Sequence, residues 1–98
     1  MNKIYIICYQ DYFNNKNNYP KQAFYNKEMA LNNLDVGGTI YELYIDNINQ
    51  DKTKLYVLME ISRDKDILSH PIKISFDKHD FDKYFNNKEY KIYKTCLI

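Results

Sequence analysis

The sequence has no tryptophan, one arginine (Arg63), two glycines, two prolines and two cysteines. Two cysteines are too few for the disulfide framework that staples small secreted domains. Cys8 and Cys96, each inside an apolar run, therefore read as free, buried thiols of an intracellular protein. Gly37 and Gly38 are adjacent and alone, which excludes a glycine-rich phosphate cradle. Neither charge sign is in excess: 14 Lys/Arg against 13 Asp/Glu leave a formal +1, without the basic field of a dedicated nucleic-acid binder. Long apolar runs are also missing. Ile4 to Cys8 is too short for a signal core or a bilayer span, so a cytoplasmic, membrane-free location is expected. His70 and His79 have no cysteine or histidine at zinc-ligand spacing, so neither a metal centre nor a cofactor is expected.

What is present is a chain of 98 residues, 45% hydrophobic, with 11 tyrosines and 5 phenylalanines, enough for one domain with a modest core. Dimerisation would bury more, so a homodimer is one expected form. Lys3 to Tyr9 is β-branched and aromatic on both alternating faces, as in a covered central strand. Gln10 to Lys21, with four asparagines and Pro20, reads as a loop leading into a short extended piece over Gln22 to Tyr25. Asn26 then caps a helix whose Ala30, Leu31 and Leu34 share a face and which must end before Gly37. Thr39 to Asp46 resumes as a strand, and Leu55 to Ile61 alternates with period two as another. Pro71 to Phe76 suits an edge strand, since proline lacks the donor a central strand needs. Asp77 caps a second helix with Phe81, Tyr84 and Phe85 as its buried stripe, and Glu89 to Leu97 closes the chain as a strand.

An offset of 51 aligns Lys3-Ile4-Tyr5-Ile6-Ile7 with Lys54-Leu55-Tyr56-Val57-Leu58, and Tyr25-Asn26-Lys27 with Phe76-Asp77-Lys78. Halves of about 1–50 and 51–98 each read strand, extended piece, helix, strand. The expected fold is an α+β, ferredoxin-like βαββαβ sandwich with an antiparallel or mixed sheet and two helices, arising from an internal ββαβ duplication. A pseudo-twofold axis would then place a groove at the junction of the halves.

The first strand, the segment Ala23-Phe24-Tyr25-Asn26-Lys27-Glu28-Met29-Ala30, the strand Ile40 to Asp46 and Lys54 to Met59 together resemble short, mostly uncharacterised phage-encoded α+β proteins. The resemblance covers about the first two thirds of the chain and carries no catalytic residue. It implies a viral or mobile-element accessory protein, a class containing many small inhibitors of host proteins and of host defence systems, anti-CRISPR factors among them.

Three functions follow as expectations. The first is a non-enzymatic binder of a host protein, with Tyr12, Phe13 and Tyr19 as anchors, because large rings in a polar loop are costly to display and tyrosine is enriched at interfaces. Lys91 and Lys94 would add positive charge toward the C-terminus. The second is a small-molecule or nucleotide-signal binding module in the groove between the halves. The third is a small nucleic-acid-binding protein or nuclease around Asp11, His79 or the C-terminal lysines, whose binding would collapse with salt.

Overall fold

The computed structural model describes residues 2–11, 16–46, 51–62 and 69–98. Its elements run β1 (Asn2–Asp11), β2 (Lys16–Phe24), α1 (Lys27–Asn32), β3 (Gly38–Ile45), β4 (Lys54–Glu60), β5 (His70–Ser75), a 3-10 helix (Lys78–Tyr84) and β6 (Tyr90–Leu97). All six strands join one sheet in the order β3-β1-β2-β6-β4-β5, and this sheet curls into a nearly closed barrel.

A nearly closed barrel overturns the ferredoxin-like sandwich. In that fold a helix follows the first strand. Here the next described element is a strand, β2, paired antiparallel with β1, with Tyr9 opposite Tyr19 and Asp11 opposite Lys16. Residues 16–21 of the stretch that reads as loop are therefore strand, because the ladder offered by β1 outweighs the poor β-propensity of these residues. Each half is then a three-stranded sheet, β2-β1-β3 or β5-β4-β6, antiparallel throughout. Short helices cover the outside of the curled sheet; the larger core cluster lies inside it, and a smaller one of Ile7, Phe24 and Ala30 lies under α1.

The halves match in detail. Ile4, Ile6 and Cys8 of β1 enter the same buried cluster as Leu55, Val57 and Met59 of β4, each pair at the offset of 51. The β1–β2 register shifts between Ile7 and Cys8, opposite Pro20, and the β4–β5 register shifts between Leu58 and Met59, opposite Pro71. Both prolines sit at equivalent irregularities, where a missing donor is tolerated. Asn18 and Ser69, again 51 apart, are bonded to each other: Asn18 Nδ2 donates to the Ser69 carbonyl at 3.0 Å. Equivalent residues of two halves can touch only near their common axis, so the pseudo-twofold runs past this contact. Asn18 Nδ2 also donates to the Tyr41 hydroxyl at 3.0 Å, so one buried amide ties β2 to β3 and to the entry of β5.

Both helix caps are as the sequence implies. Asn26 Oδ1 accepts from the amides of Glu28 and Met29, and Asp77 Oδ1 accepts from the His79 amide. The helices themselves are shorter and thinner. Ala30 is the buried residue of α1, while Leu31, one position on, points away and is exposed. The second helix is 3-10, with three residues per turn, so Phe81 and Tyr84 share a face and Phe85 falls off it, 67% exposed. Gly37 takes φ +86° in the turn after α1, and a Cβ on Gly38 would lie 2.8 Å from the Tyr9 ring, so glycine is needed at both positions for different reasons.

One thiol also departs from expectation. Cys8 is buried in the barrel, which pushes its pKa up to about 12, whereas Cys96 faces outward and is exposed.

Candidate functional site

The two halves of the barrel meet at two seams, β2 against β6 and β5 against β3. The first is closed. Its strands run parallel, with Gln22 opposite Cys96 and Ala23 opposite Leu97. The ladder is sealed at its end by Ile98 N–H to the Ala23 carbonyl and Tyr25 N–H to the Ile98 carbonyl, each at 3.0 Å.

The second seam is open. β3 and β5 are the two ends of the sheet order and no ladder joins them. Their neighbours fix their directions, so these edges also run parallel. A cleft of about 620 Å³ lies along them, bordered by Glu42 to Tyr44 of β3, Pro71 to Ser75 of β5, and Asp80 and Phe81 of the 3-10 helix. A second depression of about 350 Å³ continues it past Ile45, Asp46, Phe76 and Asp77. This second depression sits where the closed seam carries its sealing hydrogen bonds: Phe76 is the counterpart of Tyr25 at the offset of 51, and the ladders, which pair Ile4 with Leu43 and Leu55 with Thr95, set β3 against β6 at an offset of 52, so that Asp46 is the counterpart of Ile98.

The two seams differ in charge. At the end of the closed seam the equivalent positions hold Asn26, Met29 and Ile98; at the open seam they hold Asp77, Asp80 and Asp46. Three aspartates border the depression beside the open edges, and like charges facing each other across strands would oppose pairing. Asp80 accepts a hydrogen bond from the Ser75 hydroxyl and Asp77 caps the helix, so both are held in place. Glu42, farther along, is compensated by Lys3 at 3.6 Å and Lys27 at 3.5 Å. At the opposite end of the cleft Lys73 lies over the Tyr84 ring, 5.9 Å from its centroid, and Lys83 lies over the same ring at 5.1 Å. Burial acts to raise the Tyr84 pKa, but the two ammonium groups outweigh it and the net shift is downward. Tyr44, beside the seam on β3, is 56% exposed.

No family model, curated protein or solved structure matches the chain.

The residues singled out from the sequence lie elsewhere. Tyr12 and Phe13 are outside the described residues. Tyr19 is a half-buried strand residue of β2 rather than a loop residue. Lys91 on β6 lies over Tyr93 at 4.9 Å, and Lys94 lines a shallow depression with Asp51 to Lys54, Tyr56 and Phe76. None of the three borders the open seam. His79 forms an exposed pair with Asp82 at 3.3 Å, and His70 lies 4.0 Å from Glu60. Among the described residues no group of His, Cys, Asp and Glu could hold a metal ion, and no helix is long and apolar enough to cross a membrane. Sequence reasoning missed Tyr44, Asp46 and Asp80. The signal was available in the offset itself, where Met29 faces Asp80 and Asn26 faces Asp77.

Proposed function

We propose that this protein is a non-enzymatic binding module that holds a host protein by stoichiometric contact along the open β3–β5 seam. The observation that carries the reading is the unpaired seam itself. Strand edges with unfilled backbone donors and acceptors are ready templates for another chain. The exposed Tyr44 ring beside them supplies the kind of aromatic anchor on which interfaces depend. A viral or mobile-element origin, a place in the host cytoplasm and a defence component as target come from the resemblance to phage-encoded proteins and belong to the same proposal. Tyr19, Lys91 and Lys94 do not border the seam and drop out of the contact surface.

The test is a photo-crosslinking amino acid at position 44, compared with one at Tyr56 on the outer face of β4, in a bacterial host lysate. A single stoichiometric adduct formed at position 44 and absent at 56 supports the reading. Adducts that are equal at both positions, or missing at both, contradict it. The cleft volume favours one second reading, a small-molecule site, since 620 Å³ falls within the range of ligand pockets. A mass increment in the native protein that disappears on denaturation would favour that reading instead.

A further inference from the structure

The closed seam is a worked example of what the open seam accepts. On β2, the edge residues Gln22 to Tyr25 hold a parallel strand end, with Ala23 opposite Leu97 and the Ala23 carbonyl and Tyr25 amide both engaged by Ile98. On β5 the same edge positions are Lys73 to Phe76, with Ile74 in place of Ala23 and Phe76 in place of Tyr25. The strand that would serve it by symmetry, β3, ends in Asp46, which faces Asp77 and Asp80 across the second depression. Its own terminal charge makes β3 the wrong strand for this edge.

Resting on the binding reading above, we infer that the β5 edge takes an extended segment of the partner protein as an added parallel strand, with an apolar residue opposite Ile74 and a basic residue directly after it. The apolar residue would occupy the position Leu97 holds on β2. The basic residue would meet Asp46 and Asp77, supplying the counter-charge the seam lacks. A second copy of this chain fits poorly, because its own β3 would bring Glu42 and Asp46 to the same carboxylates. Cα atoms of β3 and β5 come within 8 Å, so an inserted strand requires the edges to part to roughly 9.5 Å, two strand spacings. No ladder has to break for that movement, but Ile45 must give up its place beside Ile74 in the core cluster to the incoming apolar residue.

The probe is a synthetic peptide with the sequence of residues 90–97 carrying Cys96→Ser, capped at both ends and extended by two lysines, the first of which directly follows Leu97; its control is extended by two glutamates. Amide chemical shifts of the intact protein are followed during titration. The expected result is saturable one-to-one binding of the lysine peptide, with changes centred on residues 42–46 and 72–77, and at least tenfold weaker binding of the glutamate peptide. Asp46→Asn with Asp77→Asn should erase that preference while leaving the fold intact, since asparagine caps a helix as well as aspartate. The inference is overturned by equal affinity for the two peptides, by no binding at millimolar concentration, by shifts centred on residues 22–25, or by a dimer forming through β3 and β5 without peptide. Failure here with a specific adduct still formed at position 44 would remove the added strand and leave the binding module. Failure of both removes the module as well.

Discussion

The two seams of this barrel are built from equivalent strands, yet one is hydrogen-bonded and the other is not. At the closed seam the C-terminal end of β6 lies on β2 and finishes in Leu97 and Ile98; at the open seam the corresponding end of β3 finishes in Ile45 and Asp46. The inward residues are alike, with Leu97 and Ile45 both buried in the same core cluster. What differs is the outer row, Ile98, Asn26 and Met29 against Asp46, Asp77 and Asp80. Apolar packing sets where the strands lie, and the charged outer row is what sets the open edges apart from the closed ones.

A second difference between the halves lies under the helices. In the first half the large residue is on the strand and the small one on the helix: Phe24 is 1% exposed and packs with fully buried Ala30. In the second half the sizes are exchanged, with Ser75 on the strand and Phe81, 3% exposed, on the helix. Each half thus fills its outer layer with one ring, reached from opposite sides, as close packing demands.

The largest effect should come from removing that ring. Phe24→Ala is expected to cost about 3–5 kcal/mol in urea unfolding. Adding Ala30→Phe, which gives the first half the arrangement of the second, should recover at least ~1 kcal/mol of this. A double variant no more stable than Phe24→Ala would break the equivalence of the two helix-covered faces. Next comes the axis. Asn18→Ala leaves the Ser69 carbonyl and the Tyr41 hydroxyl without a shared donor inside the barrel, and a loss of about 1–3 kcal/mol is expected by the same measurement.

Smaller effects bear on the seams directly. Asp46→Ile with Asp77→Asn copies the closed seam's residues onto the open one and should raise the melting temperature, with a gain of about 1 kcal/mol, as like charges stop facing each other. An unchanged or lowered melting temperature would mean that something other than charge keeps the edges apart. Thr95, at the β6 side of the barrel, is the smallest case. Its hydroxyl is buried without a hydrogen-bond partner among the described residues, so Thr95→Val should stabilise the fold by up to about 1 kcal/mol.

Much of this architecture was legible in the sequence, and the missing parts share a cause. The strands β1, β3, β4 and β6 announce themselves through alternating or continuous β-branched and aromatic residues, and Asn26 and Asp77 mark both helix starts. β2 does not, because residues 16 to 20 carry turn-type side chains and become strand only by pairing with β1. The choice between an open sandwich and a curled barrel rests on the non-local contact of β2 with β6, which no local pattern encodes. The 3-10 winding of the second helix moved Phe85 from the expected buried stripe to the surface. Aromatic residues drew attention to Tyr12, Phe13 and Tyr19, while the cleft is bordered by the helix cap Asp77 and by Tyr44, Asp46 and Asp80, residues unremarkable in sequence until the fold brings them together.

Native-state amide hydrogen exchange tests the contrast between the seams most directly, because it compares equivalent amides within one molecule. Tyr25 and Ile98, which donate across the closed seam, should be strongly protected, whereas their counterparts Phe76 and Asp46 at the open seam should exchange at least a hundredfold faster. Equal protection at all four amides would show that the second seam is closed in solution and would contradict the account.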